Sequence, residues 1–382
     1  MKLRDVFTTA SHGFVAEYTG KSVSKLDSPS TAETHFVLVT GGAGYIGSHT
    51  CKALSEAGFR PIVFDNLVSG HRWAVQWGPL IKGDLQDVQL LVDVLAKYPI
   101  HAVIHCAAYA YVGESMVRPG KYFRNNVSNT INLLDAMVAT GVECLVFSSS
   151  CATYGVPHQL PISETHTQKP INPYGESKLF VERLMYWYGV AHGIRAYALR
   201  YFNAAGDDLD GEIGEDHDPE THLIPLVVQA ALGQRKELRI YGTDYNTPDG
   251  TAVRDYIHVQ DLAAAHVAAV KKLLAGSQSR YLNLGTGTGL SVRDIVNAVE
   301  LISGQSINIV HDERRPGDPA MLVAAPGSAA EILGWHPRYS DLNTLVHSAL
   351  NWHAKHAPVK TGLIRPRRNT MQKGKTHAHA AG

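Results

Sequence analysis

Residues Phe36–Thr50 read FVLVTGGAGYIGSHT, and their reading decides the fold. Phe36–Val39 is a short apolar run, rich in valine, of the kind that makes a buried parallel strand. It breaks at Thr40-Gly41-Gly42 into a glycine-rich turn, and a helix is expected from Tyr45. Gly41, Gly44 and Gly47 lie three apart, while Gly42, Gly44 and Gly47 also satisfy G-x-G-x-x-G. Such a turn lets the backbone come close to a pyrophosphate resting on the helix N-terminus. Glycine loops of this kind also occur as plain strand-to-helix turns, so the context decides. A second apolar run, Pro61–Phe64, ends in Asp65, eighteen residues past Gly47, where a carboxylate accepts from a ribose 2'-hydroxyl. The same carboxylate repels a 2'-phosphate, so the pattern favours NAD over NADP.

Working outward, apolar runs alternate with helical stretches from Thr34 to about Phe202. Phe36–Val39, Pro61–Phe64, Ala102–His105, Cys144–Ser148 and Arg195–Leu199 read as strands. This βαβ text predicts an α/β chain built on a Rossmann-type, doubly wound parallel sheet. Residues 204–255 are rich in Gly, Asp, Pro and His, which suits loops that wrap a ligand, with one helix over Ile224–Leu232. A strand at Tyr281–Leu284 and a helix over Ser291–Ile302 follow, so the chain is expected to return to the first lobe near 256–302. The expected domains are 35–203 and a smaller C-terminal α/β domain over 204–356.

Residues 1–34 carry no sustained hydrophobic period and are expected to be a disordered extension, or the product of a start placed too far upstream. Asp5, Glu17 and Asp27, and the lack of a secretory apolar core, argue against a targeting peptide. Residues 357–382, with Arg365, Arg367, Arg368, Lys373 and Lys375, read as a disordered basic tail.

Composition narrows the partners. The 382 residues are 45% hydrophobic and 18% charged, enough for a large core in two lobes of a soluble globular protein. Thirty-five basic and 35 acidic residues give a formal charge of zero, so nothing steers the chain to nucleic acid or an acidic membrane. Cys51, Cys106, Cys144 and Cys151 form no C-x-x-C pair, which fits reduced thiols in a cytoplasm. No apolar run approaches the length of a membrane span.

Two segments carry chemistry. The strand Cys144–Ser148 ends in Ser148-Ser149-Ser150, placing hydroxyls at the carboxyl end of a parallel sheet, where such folds hold ligands. Pro173-Tyr174-Gly175-Glu176-Ser177-Lys178 follows, and in a helix Tyr174 and Lys178 project from one face. An ammonium and a positive nicotinamide ring near a phenol favour phenolate. A shift of about three units from the usual value near 10 corresponds to roughly 4 kcal/mol, enough to make a base at neutral pH.

The sequence resembles the extended short-chain dehydrogenase/reductase family and, within it, the UDP-glucose 4-epimerase branch, particularly that of bacterial exopolysaccharide synthesis. The likeness runs from Phe36 to His353. It rests on TGGAGYIGSHT, FDNLVSGH at 64–71, GDL at 83–85, VIHCAAYAYVGES at 103–115 and FRNNV at 123–127. It continues through FSSSCATYG at 147–155, PINPYGESK at 170–178, LRYFNAAG at 199–206, GTDYNTPDGTAVRDYIHV at 242–259, LNLGTGTG at 282–289 and RRPGD at 314–318.

The resemblance implies Tyr174 as catalytic base, Lys178 as its electrostatic partner and ribose ligand, and Ser150 as the hydroxyl on the sugar O4. It implies that Gly41, Gly44, Tyr45, Ile46 and Gly47 hold the NAD pyrophosphate, Asp65, Asn66 and Gly70 the adenosine ribose, and Asp84 and Leu85 the adenine. Cys106, Ala107, Ala108, Asn125, Ser148 and Phe202 line the path to the nicotinamide. For the UDP-sugar it implies Asn203, His222, Leu223, Tyr241, Arg254, Arg315 and Asp318, with Leu322 gating 2-acetamido sugars. The two arginines also fit a diphosphate on chemical grounds. Domain 35–203 would then bind NAD and 204–356 the UDP-sugar, with a homodimer joined through the helix that contains Tyr174.

Departures from the branch are informative. Ala110 stands where some members carry a lysine that reaches the cofactor phosphates, which implies looser NAD retention. His222 replaces an asparagine of some members. Cys151 and Ala152 stand where sugar-nucleotide dehydratases carry an Asp-Glu pair for water loss. The implied reaction interconverts UDP-galactose and UDP-glucose through a transient 4-keto sugar and bound NADH. The rivals are epimerisation of a pentose, uronate or N-acetyl UDP-sugar, a dehydrogenase making net product, and a non-catalytic NAD sensor.

Overall fold

The structure is a computed structural model that describes residues 35–315, 318–325 and 327–356; the expected extensions 1–34 and 357–382 lie outside the described residues. The strands of the first half are β1 (Phe36–Thr40), β2 (Arg60–Asp65), β3 (Leu80–Lys82), β4 (Ile100–His105), β5 (Cys144–Ser150) and β6 (Arg195–Tyr201). Those of the second half are β7 (Asn203–Ala205), β8 (Leu238–Tyr241), β9 (Val253–His258), β10 (Arg280–Leu284), β11 (Gly289–Ser291), β12 (Ile309–Asp312) and β13 (Met321–Leu322). Seven of them form a parallel sheet in the order β10-β6-β5-β4-β1-β2-β3. The strand order reverses between β1 and β4, and an open sheet of this kind holds its ligand in the crevice at that point.

Period-two alternation within each strand splits the core into two layers. Val37, Val39, Ile104, Val146 and Leu199 face one side, where Leu54 of the helix Tyr45–Glu56 and Leu262, Val270 and Leu273 of the helix Val259–Leu274 cover them. Leu38, Phe64, Val103, Leu145 and Ala198 face the other, against the helices Val88–Lys97, Asn129–Thr140 and Pro173–His192. A third core joins β8, β9 and the helices Leu223–Ala231, Val292–Ser303 and Leu342–Lys355.

Around the third core, β9 pairs with β7, β11 and β13, and β8 pairs with β12. Strand β10 and the helix Val259–Leu274 lie on the seven-stranded sheet although they follow β9 in the chain.

Two strands run further than their apolar letters, β5 to Ser150 and β6 to Tyr201, with Ser149 registered on Arg200 and Ser150 on Tyr201. Their polar ends stay in the buried sheet because side-chain partners satisfy them. Ser149 Oγ donates to Glu182 Oε1 at 2.6 Å, and Arg200 grips the same carboxylate through Nε at 2.9 Å and Nη2 at 2.6 Å. Strand β3 has three residues, too short for a periodic pattern to mark it.

Candidate active site

The crevice begins at the glycine turn. Gly41 has φ +70°, and a Cβ there would lie 2.6 Å from the Ala107 backbone nitrogen beyond β4. Gly47 would drive a Cβ to 2.1 Å from the Gly41 carbonyl oxygen, so both positions demand glycine. Gly44 is the N-cap of the helix Tyr45–Glu56, whose first turn carries no acidic side chain, so backbone N–H groups of Tyr45 and Ile46 face the crevice without a carboxylate cap. The Tyr45 phenol points away and donates to the Gly206 carbonyl.

Asp65 ends β2 beside this turn. Its carboxylate accepts from the backbone N–H of Ala43 at 3.0 Å and of Leu67 at 2.8 Å. Leu67 is held at φ +61°, a strained conformation that the Asp65 contact fixes. Gly70 packs where a Cβ would reach 2.9 Å from Ala43 Cβ and 3.0 Å from Asp65 Oδ1. Asn66 donates through Nδ2 to Asp84 at 2.9 Å, and the Leu85 carbonyl accepts from Asn132 at 3.0 Å, so the residues after β2 and β3 form one rim. This cradle fits an adenosine dinucleotide: a glycine-only approach, uncapped helix N–H groups and a buried acid at the next strand end.

Deeper in, Cys106 Sγ lies 3.2 Å from Ser148 Oγ, which is 2.9 Å from His266 Nε2. The Leu262 carbonyl, 2.8 Å from His266 Nδ1, obliges that nitrogen to carry the proton. Nε2 is therefore the acceptor, Ser148 donates to it, and the Cys106 thiol donates to Ser148. Burial lowers the His266 pKa to about 4, so the ring is neutral. Ala107 and Ala108 follow Cys106 at the mouth. Asn125 Nδ2 donates to Asn126 Oδ1 at 3.0 Å inside a widened helical turn over Phe123–Ser128. Asn126 in turn holds the Tyr109 backbone at both its N–H and its carbonyl and donates to Ser177 Oγ at 3.0 Å.

Ser150, Tyr174 and Lys178 converge at the end of β5. Asn172 caps the helix Pro173–His192 by accepting from Gly175 N, and Pro173 opens it. Gly175 sits against the Ala152 carbonyl, where a Cβ would approach to 2.5 Å. Ser150 Oγ accepts from the Ala152 N–H at 3.1 Å, which leaves its own proton for the phenol of Tyr174. Lys178 Nζ donates to the Ser148 carbonyl at 2.7 Å and lies 5.8 Å from the centroid of the Tyr174 ring.

Without a nicotinamide ring, the protein alone does not acidify the phenol. Burial pushes the Tyr174 pKa up to about 12 in the protein alone, against an opposing hydrogen bond from Ser150. Lys178 makes its hydrogen bond to the Ser148 carbonyl, with the ammonium 5.8 Å from the centre of the Tyr174 ring. Burial also lowers the Lys178 pKa to about 8 from its ordinary 10.5. The unfolded chain thus binds more protons than the native one between those two values, and native stability rises with pH across that window. In NAD-free protein, wild type should gain stability relative to Lys178→Met as pH is raised from about 8 to about 10.5 in denaturant melts; parallel curves would refute it.

Across the crevice, Phe202 packs with Cys151, Tyr154, Ile162 and Ala324, and Leu322 lies against this cluster. Leu322 of β13 is registered on Arg254 of β9, and Arg254 is paired with Asp318. The Arg315 guanidinium stacks 4.1 Å over the Tyr241 ring, and Arg314 pairs with Asp244 at 2.7 Å. Asn203 opens β7, and Leu223 begins the helix Leu223–Ala231 with His222 as its N-cap. His222 directs Nδ1 at Glu215, 2.8 Å away, and Glu220, 3.0 Å away.

Three partners escaped the sequence reading: His266, the Glu182–Arg200 pair and Glu215. Glu182 was within reach, because positions 174, 178 and 182 continue one helical face.

Residues 37–285 match the NAD dependent epimerase/dehydratase family. A UDP-glucose 4-epimerase of Rhizobium meliloti is 52% identical over 84% of this chain and 97% of its own. Among solved structures, the UDP-glucose 4-epimerase from Brucella ovis in complex with NAD is 54% identical, with a TM-score of 0.82 over 83% of this chain and 98% of that one. The enzyme of the same name from Bifidobacterium longum, in complex with NAD+ and UDP, is 39% identical with a TM-score of 0.79 over 84% and 98%. The likeness takes in the glycine turn, the serine strand and the Tyr174 helix together, and the chain belongs to the NAD-dependent epimerase/dehydratase family.

Proposed function

We propose that this chain is an NAD-dependent UDP-glucose 4-epimerase that interconverts UDP-galactose and UDP-glucose through a transient 4-keto sugar. The observation that carries the reading is the convergence of Ser150, Tyr174 and Lys178 at the end of β5, beside the glycine turn. The relatives of the same name support the substrate. When bound, NAD supplies the acceptor and donor for hydride at the sugar C4 and a positive ring that favours phenolate. Tyr174 takes the proton of the C4 hydroxyl and returns it, Ser150 holds the same oxygen, and Lys178 keeps positive charge beneath the phenol ring. Cys151 and Ala152 offer no acid–base pair for water loss, so the ketone is reduced again rather than dehydrated.

Residues 204–356 form the UDP-sugar lobe in this reading, and Arg254 and Arg315 hold the diphosphate while the sugar turns. Asp318 presets the Arg254 fork. Most binding energy then comes from the part of the substrate that does not react. Purified protein given UDP-galactose without added cofactor should form UDP-glucose to a fixed ratio. If nothing forms even after NAD is added, the assignment fails.

The enzyme works as a homodimer joined through the helix Pro173–His192. Phe180, Trp187 and Val190 recur on one face of that helix, and Trp187 and Val190 are each 63% exposed. Trp187→Glu should yield a monomer by light scattering; a monomeric wild type, or a dimeric variant, would count against this interface. The four free cysteines fit a reducing cytoplasm, and no described helix is long and apolar enough to cross a membrane.

A further inference from the structure

We propose that Glu215, His217, Glu220 and His222 form a binding site for one divalent transition-metal ion of the zinc class. Each residue turns a ligating atom to a common point, and these atoms all lie within 4.8 Å of one another. His222 Nδ1 is 2.8 Å from Glu215 Oε1 and 3.0 Å from Glu220 Oε1. His217 Nδ1 is 3.0 Å from Glu215 Oε1 and 3.8 Å from Glu220 Oε2. A tetrahedral zinc ion with bonds near 2.0–2.1 Å separates its ligands by about 3.3–3.4 Å, which falls inside this spread. Two imidazoles with two carboxylates suit zinc, cobalt or nickel, whereas magnesium and calcium call for oxygen-only sets.

Charge points the same way. The Glu215 and Glu220 side chains are only 2% and 5% exposed, and a buried pair of carboxylates needs compensating positive charge. A second acidic cluster gives the contrast. Asp208, Asp210 and Glu212 also converge, but Lys52 Nζ fills their centre at 2.8, 2.7 and 3.3 Å. In the Glu215 cluster the groups facing the carboxylates are the imidazoles of His217 and His222, which pair with them when protonated and can ligate an ion when neutral, whereas the Lys52 ammonium leaves no room for one.

Outer contacts orient the ligands, as metal sites require. The backbone N–H groups of Thr221 and His222 donate to Glu220 Oε1 at 2.6 and 2.7 Å. The Glu215 backbone is held on both sides, its N–H by Asp207 at 2.5 Å and its carbonyl by Trp352 at 3.0 Å. The Tyr45 and Tyr111 rings flank His217 edge-on at centroid distances of 6.1 and 6.3 Å. The ion would pin residues 206–222, which bridge the glycine-turn helix through Tyr45 and Lys52 to the last helix through Trp352.

The test uses full-length protein in which the tail histidines His377 and His379 are replaced by alanine, so that they do not take up metal. After chelation and dialysis, zinc chloride is titrated by calorimetry and bound metal is counted by elemental analysis. One equivalent per chain is expected, with a melting temperature raised by about 5 °C at 100-fold excess over the dissociation constant. Cobalt chloride should give the intense visible absorption of a four-coordinate ion. His217→Ala, at the most open carboxylate contact, should lose both signals while staying folded by circular dichroism, with the chelated protein's melting temperature lowered by loss of the Glu215 contact. His217→Cys should restore cobalt binding with a thiolate charge-transfer band. No uptake by the parent protein, or equal uptake by His217→Ala, meaning an adventitious ion only, would overturn the site.

Discussion

Replacing Tyr174 by phenylalanine should lower kcat for UDP-galactose by about 10²–10⁴-fold, the range typical for removing a positioned general acid–base group. The change deletes one oxygen. The ring keeps its buried seat, its distance of 5.8 Å from the Lys178 ammonium and its place in the first turn of the helix Pro173–His192. Nothing in the glycine turn or at Asp65 depends on that oxygen, so NAD released on denaturation should match wild type mole for mole. Ser150→Ala should be milder, because the phenol remains and only its hydrogen-bond partner is lost. The pair of measurements separates chemistry from folding: kcat collapses in Tyr174→Phe while cofactor content and melting temperature hold. A Tyr174→Phe enzyme within threefold of wild type would mean that another group moves the proton.

What could be read from the letters follows from where the physics is local. Residues 37–39 and 144–147 are buried on both faces, so they are apolar throughout and announce themselves. The glycine spacing was legible in part because Gly47 is fixed by a collision with the Gly41 backbone, six residues away, although Gly41 itself is fixed by the remote Ala107 backbone. The Tyr174–Lys178 face follows from helical geometry alone. The polar ends of β5 and β6 were not legible, since Ser149 and Arg200 are stabilised by Glu182, 33 and 18 positions away. His266 lies 118 residues from Ser148, on a helix whose alanine-rich text gives no sign that it reaches the Ser148 hydroxyl. The phenol's acidity in the NAD-free protein was not legible for a related reason. Sequence gives the distance between Tyr174 and Lys178 along a helix, but it does not show that the Ser148 carbonyl claims the ammonium or that burial outweighs it.

Gly47→Ala should have the second largest effect, through geometry rather than chemistry. A Cβ at this position would lie 2.1 Å from the Gly41 carbonyl oxygen and 2.8 Å from both Gly41 C and Gly42 Cα. All three neighbours are backbone, so no side chain can rotate away. The helix Tyr45–Glu56 must move off the turn, or the turn must open. Either movement shifts the N–H groups of Tyr45 and Ile46 relative to Asp65 and Gly70, which the proposed reading gives to the adenosine end. Overpacking a tight site costs about 1–3 kcal/mol. If that cost falls on the bound state, NAD affinity drops about 5–150-fold, and the purified protein should carry little cofactor yet regain turnover in excess NAD. Gly113→Ala is the control, because a Cβ there meets nothing within 4 Å and φ is not positive. It should keep its NAD. If Gly47→Ala also keeps it, the close packing of turn and helix does not set cofactor affinity, and the pyrophosphate must be held by groups elsewhere in the crevice.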